Sequence, residues 1–375
     1  MALTAPWWAH SLTSLREVPD GTVRAVSPQF HQIPENDEWW GEGFTEWTNV
    51  KRARPLFRGH PQPVIPGELG YYSLLDPQIR ERQVELAKIA GITSFCYWHY
   101  WFGGREILER PLREVVASGS PDFPFFVGWA NQSWSGVWHG LSHHILIEQT
   151  YPGIEDHRAH LTSLLPTLTD PRYVTIDGKP VMLIFRPTEL PNARQFVEEF
   201  QQVARELGLP GLYLVAWLEG REWGVQYTTH DADGFDGGLY VEFPFTRTLG
   251  TKVRDRLRAR DERFGPARYH YTDHLPQPRQ ALSGRLHQSV QPNWDNTPRS
   301  TRRGAVALST SPARFEQQLT EALELEKKNP AGQQLVIVKS WNEWAEGNYL
   351  EPDAVHGRGW LDAVRRARLA TGVDQ

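Results

Sequence analysis

The sequence predicts an α/β fold, a (β/α)8 TIM barrel whose long βα loops form an aromatic-lined cleft. Eight short apolar segments recur along the 375 residues. Several are near-continuous apolar runs, as is typical of parallel strands covered on both faces. Stretches with helical periodicity alternate with them, which implies βα units. The alternative is a doubly wound open sheet, which usually carries a glycine-rich phosphate loop after its first strand. The corresponding segment here, SPQFHQIP, has no glycine.

The predicted elements alternate in order along the chain. The strands are Val23–Phe30, Ile92–Tyr97, Phe123–Trp129, Pro180–Phe185, Leu212–Leu218, Gly237–Phe243, Leu286–Gln291 and Leu335–Trp341. The helices are Asp76–Ala90, Glu106–Ser118, Ile154–Leu168, Asn192–Leu207, Lys252–Arg263, Pro312–Lys328 and Ala354–Leu369. Residues 1–22 are expected to be an N-terminal extension and residues 23–375 a single catalytic domain. The segment from His31 to Tyr72 is too long for an ordinary βα loop, and long loops are usually functional, so we expect it to form one wall of the cleft.

Composition narrows the function classes. The chain has 45 acidic and 40 basic residues, a net charge of −5, which argues against a nucleic-acid partner. No apolar run approaches the roughly 18 residues of a membrane span. The single cysteine excludes an intramolecular disulfide and a cysteine-rich zinc site. The N-terminal residues lack the pattern of a secretory signal, so a cytoplasmic location is expected.

Aromatic residues are abundant: the chain has 16 Trp, 12 Tyr and 16 Phe, and many of the tryptophans stand beside polar residues. A buried indole N–H needs a hydrogen-bond partner, so an ordinary core prefers aliphatic side chains. Aromatic faces beside carboxylates and amides suit stacking on sugar rings. The alternative is that these tryptophans only pack the long loops. We therefore expect a carbohydrate substrate.

The carboxyl ends of the predicted strands carry most of the candidate binding residues, as expected for a barrel enzyme. For His31 and His99 the alternative is a core histidine with satisfied hydrogen bonds, and for Arg186 it is a structural ion pair. The candidate sugar-binding residues are His31, Trp47, His99, Tyr100, Trp101, Trp129, Asn131, Arg186, Trp217, Glu242, Trp294, Asp295, Trp341 and Asn342.

The motif WNEWAEG at residues 341–347 is the sharpest single feature. In a helical turn the Cβ atoms of Glu343 and Glu346 would lie about 5–6 Å apart. Retaining glycosidases hold two carboxyl groups about 5–5.5 Å apart. Flanking tryptophans would partly desolvate the pair and raise the pKa of one carboxyl, giving an acid beside a base. The alternative is a solvated pair at a helix start, where acids favour the dipole. We predict a catalytic pair.

The chain resembles the WbsX-type family, which is similar to glycoside hydrolase family 99. The resemblance spans roughly residues 27–353 and is carried by PQFHQIPENDEWWGEGFTEWTNVKRARPLFRGH, LGYYSLLDP, FCYWHYWFGGREILERPL, DFPFFVGWANQSW, ILIEQTY, GKPVMLIFRP, WDNTPR and WNEWAEGNYLEPD. It implies a (β/α)8 barrel that acts on α-linked sugars without a metal or other cofactor. The family's NEW-x-EG motif matches residues 342–347, so the resemblance implies that Glu343 is the base and Glu346 the acid.

The resemblance also implies a retaining route through a 1,2-anhydrosugar. Glu343 would deprotonate the sugar's 2-hydroxyl, and Glu346 would protonate the leaving oxygen and then activate water. Direct attack by one glutamate is the more ordinary alternative. The sequence departs from the family pattern at Gln132, where many relatives carry an acidic residue.

Two other functions stay open. WbsX-type members are often encoded with surface-polysaccharide genes and have been labelled glycosyltransferases, and Asp231-Ala232-Asp233 is a DxD pattern of the kind that binds a divalent metal in some of those enzymes. The pattern is short and lies in a predicted turn. The third possibility is a non-catalytic carbohydrate-binding protein.

Overall fold

The computed structural model describes residues 16–17, 21–135, 145–219, 227–246, 265–278 and 282–372. Its centre is a sheet of eight parallel strands. They are β1 (Gly21–Val26), β2 (Ile92–Phe102), β3 (Phe125–Trp129), β4 (Lys179–Ile184), β5 (Tyr213–Glu219), β6 (Gly237–Val241), β7 (Leu286–Val290) and β8 (Leu335–Val338).

Hydrogen-bonded pairing follows the chain order. Each strand from β1 to β7 pairs in parallel with the next one along the chain. The last strand, β8, also pairs in parallel with β1. The sheet is therefore curled and barrel-like, and the predicted α/β class with eight parallel strands is confirmed. Every predicted strand overlaps an observed one.

Burial explains why these segments form parallel strands. All four residues of β8 are buried, as are five of the six in β4 and six of the seven in β5. Strands in a parallel sheet are covered on both faces, so continuous apolar runs suit them better than alternating ones. The core of the molecule is formed by these strands and the apolar sides of the helices around them.

The helices are α1 (Pro34–Trp40), α2 (Glu46–Arg52), α3 (Pro77–Ile89), α4 (Arg110–Ser118), α5 (Ile154–Leu168), α6 (Ala193–Glu206), α7 (Thr297–Ser300), α8 (Pro312–Glu326) and α9 (Gly359–Thr371). Single turns of 3-10 helix occur at Pro187–Glu189, Thr301–Arg303 and Trp344–Glu346. Side-chain caps fix three starts, because Asp76, Asn192 and Ser311 each accept a hydrogen bond from the first turn of the helix that follows. Within the described residues no helix has the length and apolar character needed to cross a bilayer.

Three helix predictions need comment. The predicted start at Glu106 is wrong, because Arg105–Ile107 is a short strand that pairs antiparallel with the end of β2. The predicted start at Ala354 is also wrong, because Asp353 accepts hydrogen bonds from the backbone of Val355 and His356 and forms a turn there. The predicted helix at 252–263 lies outside the described residues.

Short strands complete the structure. Asn342–Glu343 pairs antiparallel with Asn348–Tyr349, directly after β8. The others are Arg16–Glu17, Arg105–Ile107, Trp134–Ser135, Ile145–Ile147, Val174–Ile176, Phe245–Thr246, Ala267–Tyr271 and Ala305–Leu308. The long segment between β1 and α3 contains α1 and α2, which the sequence did not predict, and it contributes several residues to the pocket described next.

Candidate active site

A pocket of about 400 Å³ lies at the carboxyl ends of the parallel strands. Most of the side chains that line it are charged, aromatic or amide. The charged ones are Glu46, Arg186, Glu219, Arg299, Lys339, Glu343 and Glu346. The aromatic ones are Trp40, Phe44, Trp98, Tyr100, Trp134, Phe185, Trp217, Phe243 and Trp294, and the amides are Gln29, Asn36, Gln132 and Gln291.

Glu343 and Glu346 lie in a tight hairpin directly after β8. Glu343 belongs to the first strand of the hairpin, and Glu346 to the 3-10 turn that follows. Gly347 closes the turn with a φ of 62°, the left-handed region that favours glycine. Both glutamates are largely buried, with 7% and 8% of their surface exposed, and both face the pocket. The predicted pair therefore shares one opening, although the turn is 3-10 rather than α-helical.

Arg299, from α7, contacts three carboxylates at once. Its Nη2 donates to Glu343, its Nη1 donates to Oε1 of Glu346 at 2.7 Å, and its Nε donates to Oε2 of Glu46 at 2.9 Å. Lys339 donates to the other oxygen of Glu346 at 3.0 Å. Because Glu343 and Glu346 bind the same guanidinium, their carboxylates lie side by side.

These contacts separate the pKa values of the two glutamates. Burial raises the pKa of Glu343 to about 7, and the nearby carboxylates of Glu346 and Glu46 add to the effect while Arg299 opposes it. Burial also acts to raise the pKa of Glu346, but Lys339 and Arg299 outweigh it and leave that pKa below its ordinary value. At neutral pH Glu346 is thus ionised, and it lies beside Glu343, whose pKa is about 7.

A buried carboxylate, Glu351, fixes the hairpin from behind. It accepts hydrogen bonds from the indole nitrogens of Trp341 at 2.8 Å and Trp344 at 2.6 Å. Tyr72 and Gln83 donate to it as well. Since the two indoles stand immediately on either side of Asn342 and Glu343, this carboxylate sets the position of the backbone that carries Glu343.

Four of the predicted sugar-binding residues line the pocket: Tyr100, Arg186, Trp217 and Trp294. Arg186 also pairs with Glu219 and donates from Nε to Oε1 of Gln132 at 3.0 Å. A structural ion pair and substrate contact, the two predicted roles of Arg186, are therefore compatible, because this side chain is in an ion pair and also faces the pocket.

The other ten lie behind or beside the described lining. His31 bonds to the carbonyl of Pro28 at 2.7 Å, and the ring nitrogens of His99 and His160 are 2.8 Å apart. Asp295 is held by His60, Gln62 and Thr297. Hydrogen-bond partners within the protein likewise hold six further side chains and the carboxylate of Glu242, which accepts from Tyr240. The six are Trp47, Trp101, Trp129, Asn131, Trp341 and Asn342. Direct sugar contact by these ten residues stays a prediction.

Sequence reasoning missed the three charged partners of the glutamates. Arg299 lies within the segment WDNTPR, and two neighbouring buried carboxylates require a counter-cation, so that signal was available. Lys339 was missed because β8 was predicted to run to Trp341, which places Lys339 inside the strand. The strand ends at Val338, so Lys339 follows its carboxyl end. Glu46 carried no local signal, since it is 253 positions away from Arg299.

The DxD pattern lies away from this pocket. Asp231–Asp233 stands in the turn that precedes β6, at the amino ends of the strands. Asp233 accepts hydrogen bonds from Tyr227 at 2.6 Å and Thr229 at 2.7 Å, which favours a structural role for the turn. Among the described residues, no cluster of three or more His, Cys, Asp or Glu side chains has a metal-binding arrangement.

Relatives place the chain in a family. The model of a family described as "Glycosyltransferase WbsX" matches residues 24–364. Two curated relatives, both called WxcX and described as uncharacterized, come from two strains of Xanthomonas campestris pv. campestris. Each is 36% identical, over 96% and 93% of this chain. The matches cover 51% and 50% of those proteins, so the chain spans about half their length.

Solved structures with the same fold include carbohydrate-processing proteins. A "glycoside hydrolase-like protein" superposes with a TM-score of 0.60 and 12% identity, covering 96% of this chain and 97% of that one. The family 99 endo-α-mannosidase of Bacteroides thetaiotaomicron, in complex with bis-tris propane, gives a TM-score of 0.53 at 14% identity and covers 95% and 97%. At these identities the likeness shows the fold alone. The family match, which covers most of the chain, shows that this protein belongs to the WbsX family.

Proposed function

We propose that this protein is a retaining glycoside hydrolase that cleaves an α-linked polysaccharide or oligosaccharide. One observation carries the proposal: Glu343 and Glu346 face one pocket and bind one guanidinium. Two neighbouring carboxyl groups that face one pocket are the pair that glycosidases use as acid and base, and retention is inferred from the family resemblance. Aromatic and amide side chains around them suit sugar faces and hydroxyls.

The proposed roles follow the family resemblance. Glu343 takes the proton of the 2-hydroxyl as that oxygen bonds to the anomeric carbon, while the bond to the leaving oxygen breaks and Glu346 protonates it. Glu346 then removes a proton from water as the water oxygen bonds to the anomeric carbon. The 1,2-anhydro ring opens, and Glu343 returns the proton to the 2-oxygen.

The pKa values support the two roles unequally. A base works best when its pKa lies near the working pH, and burial raises the pKa of Glu343 to about 7. An acid must be protonated, whereas Lys339 and Arg299 outweigh the burial of Glu346 and lower its pKa. The proposal therefore requires a bound sugar to loosen these cations from Glu346 and raise its pKa.

We further propose that residues 23–375 act as one catalytic unit with residues 1–22 as an extension. The barrel-like sheet begins at Gly21, close to that boundary. The proposed activity is that of this unit alone, because the two curated WxcX relatives are about twice as long.

A screen against bacterial α-linked polysaccharides tests the function. We expect the wild-type protein to release reducing sugar from at least one of them. Glu343→Gln and Glu346→Gln should each cut turnover by at least about 10²–10⁴-fold with an unchanged fold, the loss typical of general acid–base variants. Wild-type turnover in both variants would contradict the proposed pair.

The second candidate is glycosyl transfer from an activated donor, which the description of the family model favours. Such an enzyme needs a site for a nucleotide diphosphate, and the DxD pattern lies at the opposite ends of the strands from the pocket. Calorimetry with GDP or UDP and manganese separates the two functions. Tight, metal-dependent binding would favour transfer, and its absence together with glycan cleavage would favour hydrolysis.

A further inference from the structure

Three charged groups from separate parts of the chain surround Glu343 and Glu346. Glu46 comes from α2, Arg299 from α7, and Lys339 follows β8. The phenol of Tyr100, from β2, lines the same pocket, and burial raises its pKa. Three carboxylates thus face two cations, and one of those cations contacts all three carboxylates.

Arg299 is suited to hold several carboxylates together. Its guanidinium is a rigid planar fork, and each of its three nitrogens points to a different glutamate. Only 9% of its side-chain surface is exposed, so water screens these ion pairs weakly. A buried cation without carboxylate partners is costly, as are buried carboxylates without a cation, so the four groups depend on one another.

The backbone that carries Arg299 is fixed by Asp295. One oxygen of the Asp295 carboxylate accepts from the backbone nitrogen of Thr297 at 3.0 Å and from its hydroxyl at 2.6 Å, at the start of α7. The other oxygen bonds to His60 at 2.8 Å and Gln62 at 2.7 Å. The backbone nitrogen of Asp295 also donates to the carbonyl of Glu346 at 2.6 Å. The same residue therefore ties Arg299 to the turn that carries Glu346.

We infer that Arg299 is a positioning residue, held in place by Asp295, that keeps the carboxylates of Glu343 and Glu346 together beside one cation. A role for Arg299 in catalysis rests on the proposed function. Its effect on the charges of the glutamates rests only on the contacts described above. It gives Asp295, a predicted sugar acceptor, a different role: its carboxylate oxygens already serve four donors.

Carbon-13 NMR of glutamate side chains tests this inference without any substrate. The wild-type protein, Arg299→Gln and Arg299→Lys are titrated, and the signals are assigned with Glu343→Gln and Glu346→Gln. In Arg299→Gln we expect the titration midpoint of Glu346 to rise by about 1–3 pH units, the effect of removing an adjacent opposite charge. Arg299→Lys should give a smaller rise, because a lysine keeps the charge but not the fork.

Arg302→Gln is the matched control, since Arg302 is exposed three positions along the chain from Arg299. It should titrate like the wild type. Unchanged midpoints in a folded Arg299→Gln would overturn the inference. If Arg299→Gln does not fold, the test uses Arg299→Lys. Unchanged titration midpoints of both glutamates in Arg299→Lys would then overturn the inference. A wild-type protein that cleaves no glycan would count against the proposed function and leave this titration interpretable.

Discussion

At the scale of single residues, Glu346 is the residue whose surroundings most constrain the proposed chemistry. Lys339 and Arg299 each donate to it, and together they overcome the burial that would otherwise raise its pKa. A proton donor in this state has to gain its proton after the sugar arrives. Glu343 has no such requirement, because burial raises its pKa to about 7.

Leaving-group dependence tests this assignment. Glu346→Gln should lose at least about 10²-fold in turnover on an α-linked glycan, whose leaving oxygen must be protonated. The first release of dinitrophenolate from a dinitrophenyl glycoside of the same sugar should be slowed far less, because that leaving group departs without a proton. Later turnovers should still be slow, because Glu346 is also the base that activates water. Glu343→Gln should lose activity on both substrates, since both need the base. The reverse pattern between the two variants would exchange the roles and contradict the assignment made from the resemblance.

At the residue scale, the sequence was enough to predict that the two glutamates lie close together, but not which charged groups surround them. The catalytic role of the pair stays a prediction. The two glutamates are only three positions apart, so a short sequence motif contains both of them. Their partners are not local: Arg299 is 44 and 47 positions from the two glutamates, and Glu46 is 253 positions from Arg299. Trp341 and Asn342 looked like site residues because they adjoin the pair, yet both side chains point to buried partners.

At the scale of elements, the hairpin after β8 decides where the glutamates point. Gly347 closes the turn with a positive φ, and a Cβ on it would lie 2.8 Å from the backbone nitrogen of Asp295. Two independent constraints thus require glycine at this position.

Gly347→Ala should destabilise the fold by about 1–3 kcal/mol from backbone strain, with more from the contact with Asp295, and should lower activity by displacing Glu346. Gly178→Ala is the control. Gly178 has a similar φ of 71° but open space around its Cβ, so it reports the strain alone. Urea unfolding and turnover of both variants check the prediction. Equal losses in the two variants would contradict the role given to the contact with Asp295.

Elements were predicted well where burial is continuous and poorly where loops carry short helices. Several of the eight strands, such as β5 and β8, were found because a parallel strand covered on both faces leaves a nearly continuous apolar run. The helices α1 and α2 have only seven residues each and are rich in aromatic and polar residues, so no apolar stripe marks them. The segment predicted to form one wall of a cleft contributes Trp40, Phe44 and Glu46 to the pocket lining, and the cleft itself stays a prediction.

At the scale of the whole molecule, buried carboxyl groups make stability depend on pH. Burial raises the pKa of Glu351 to about 7, and the four side chains that donate to it offset this only in part. The folded state therefore binds this proton more tightly than the unfolded state. The resulting stabilisation is complete below the ordinary pKa of 4.5 and is lost as the pH rises through about 7.

Between pH 4.5 and pH 8, the free energy of unfolding of the wild-type protein should fall by on the order of 1–3 kcal/mol through Glu351. Glu351→Gln stays neutral over this range, so its decline should be smaller, although Glu343 contributes in the same direction. Urea unfolding at pH 4.5 and pH 8 measures the decline in the free energy of unfolding for the wild type and for Glu351→Gln. Glu324→Gln, an exposed change on α8, should behave like the wild type. An identical decline in Glu351→Gln would show that this carboxyl is ionised in the folded protein at low pH.

The proton NMR spectrum of the first sugar released from an α-linked polysaccharide tests the central claim most directly. Glu343 and Glu346, side by side in one pocket, predict an α-configured product from the wild-type protein and almost none from either glutamine variant. A β-configured first product would contradict retention. Undiminished release by both folded variants would contradict the claim that this pair performs the reaction.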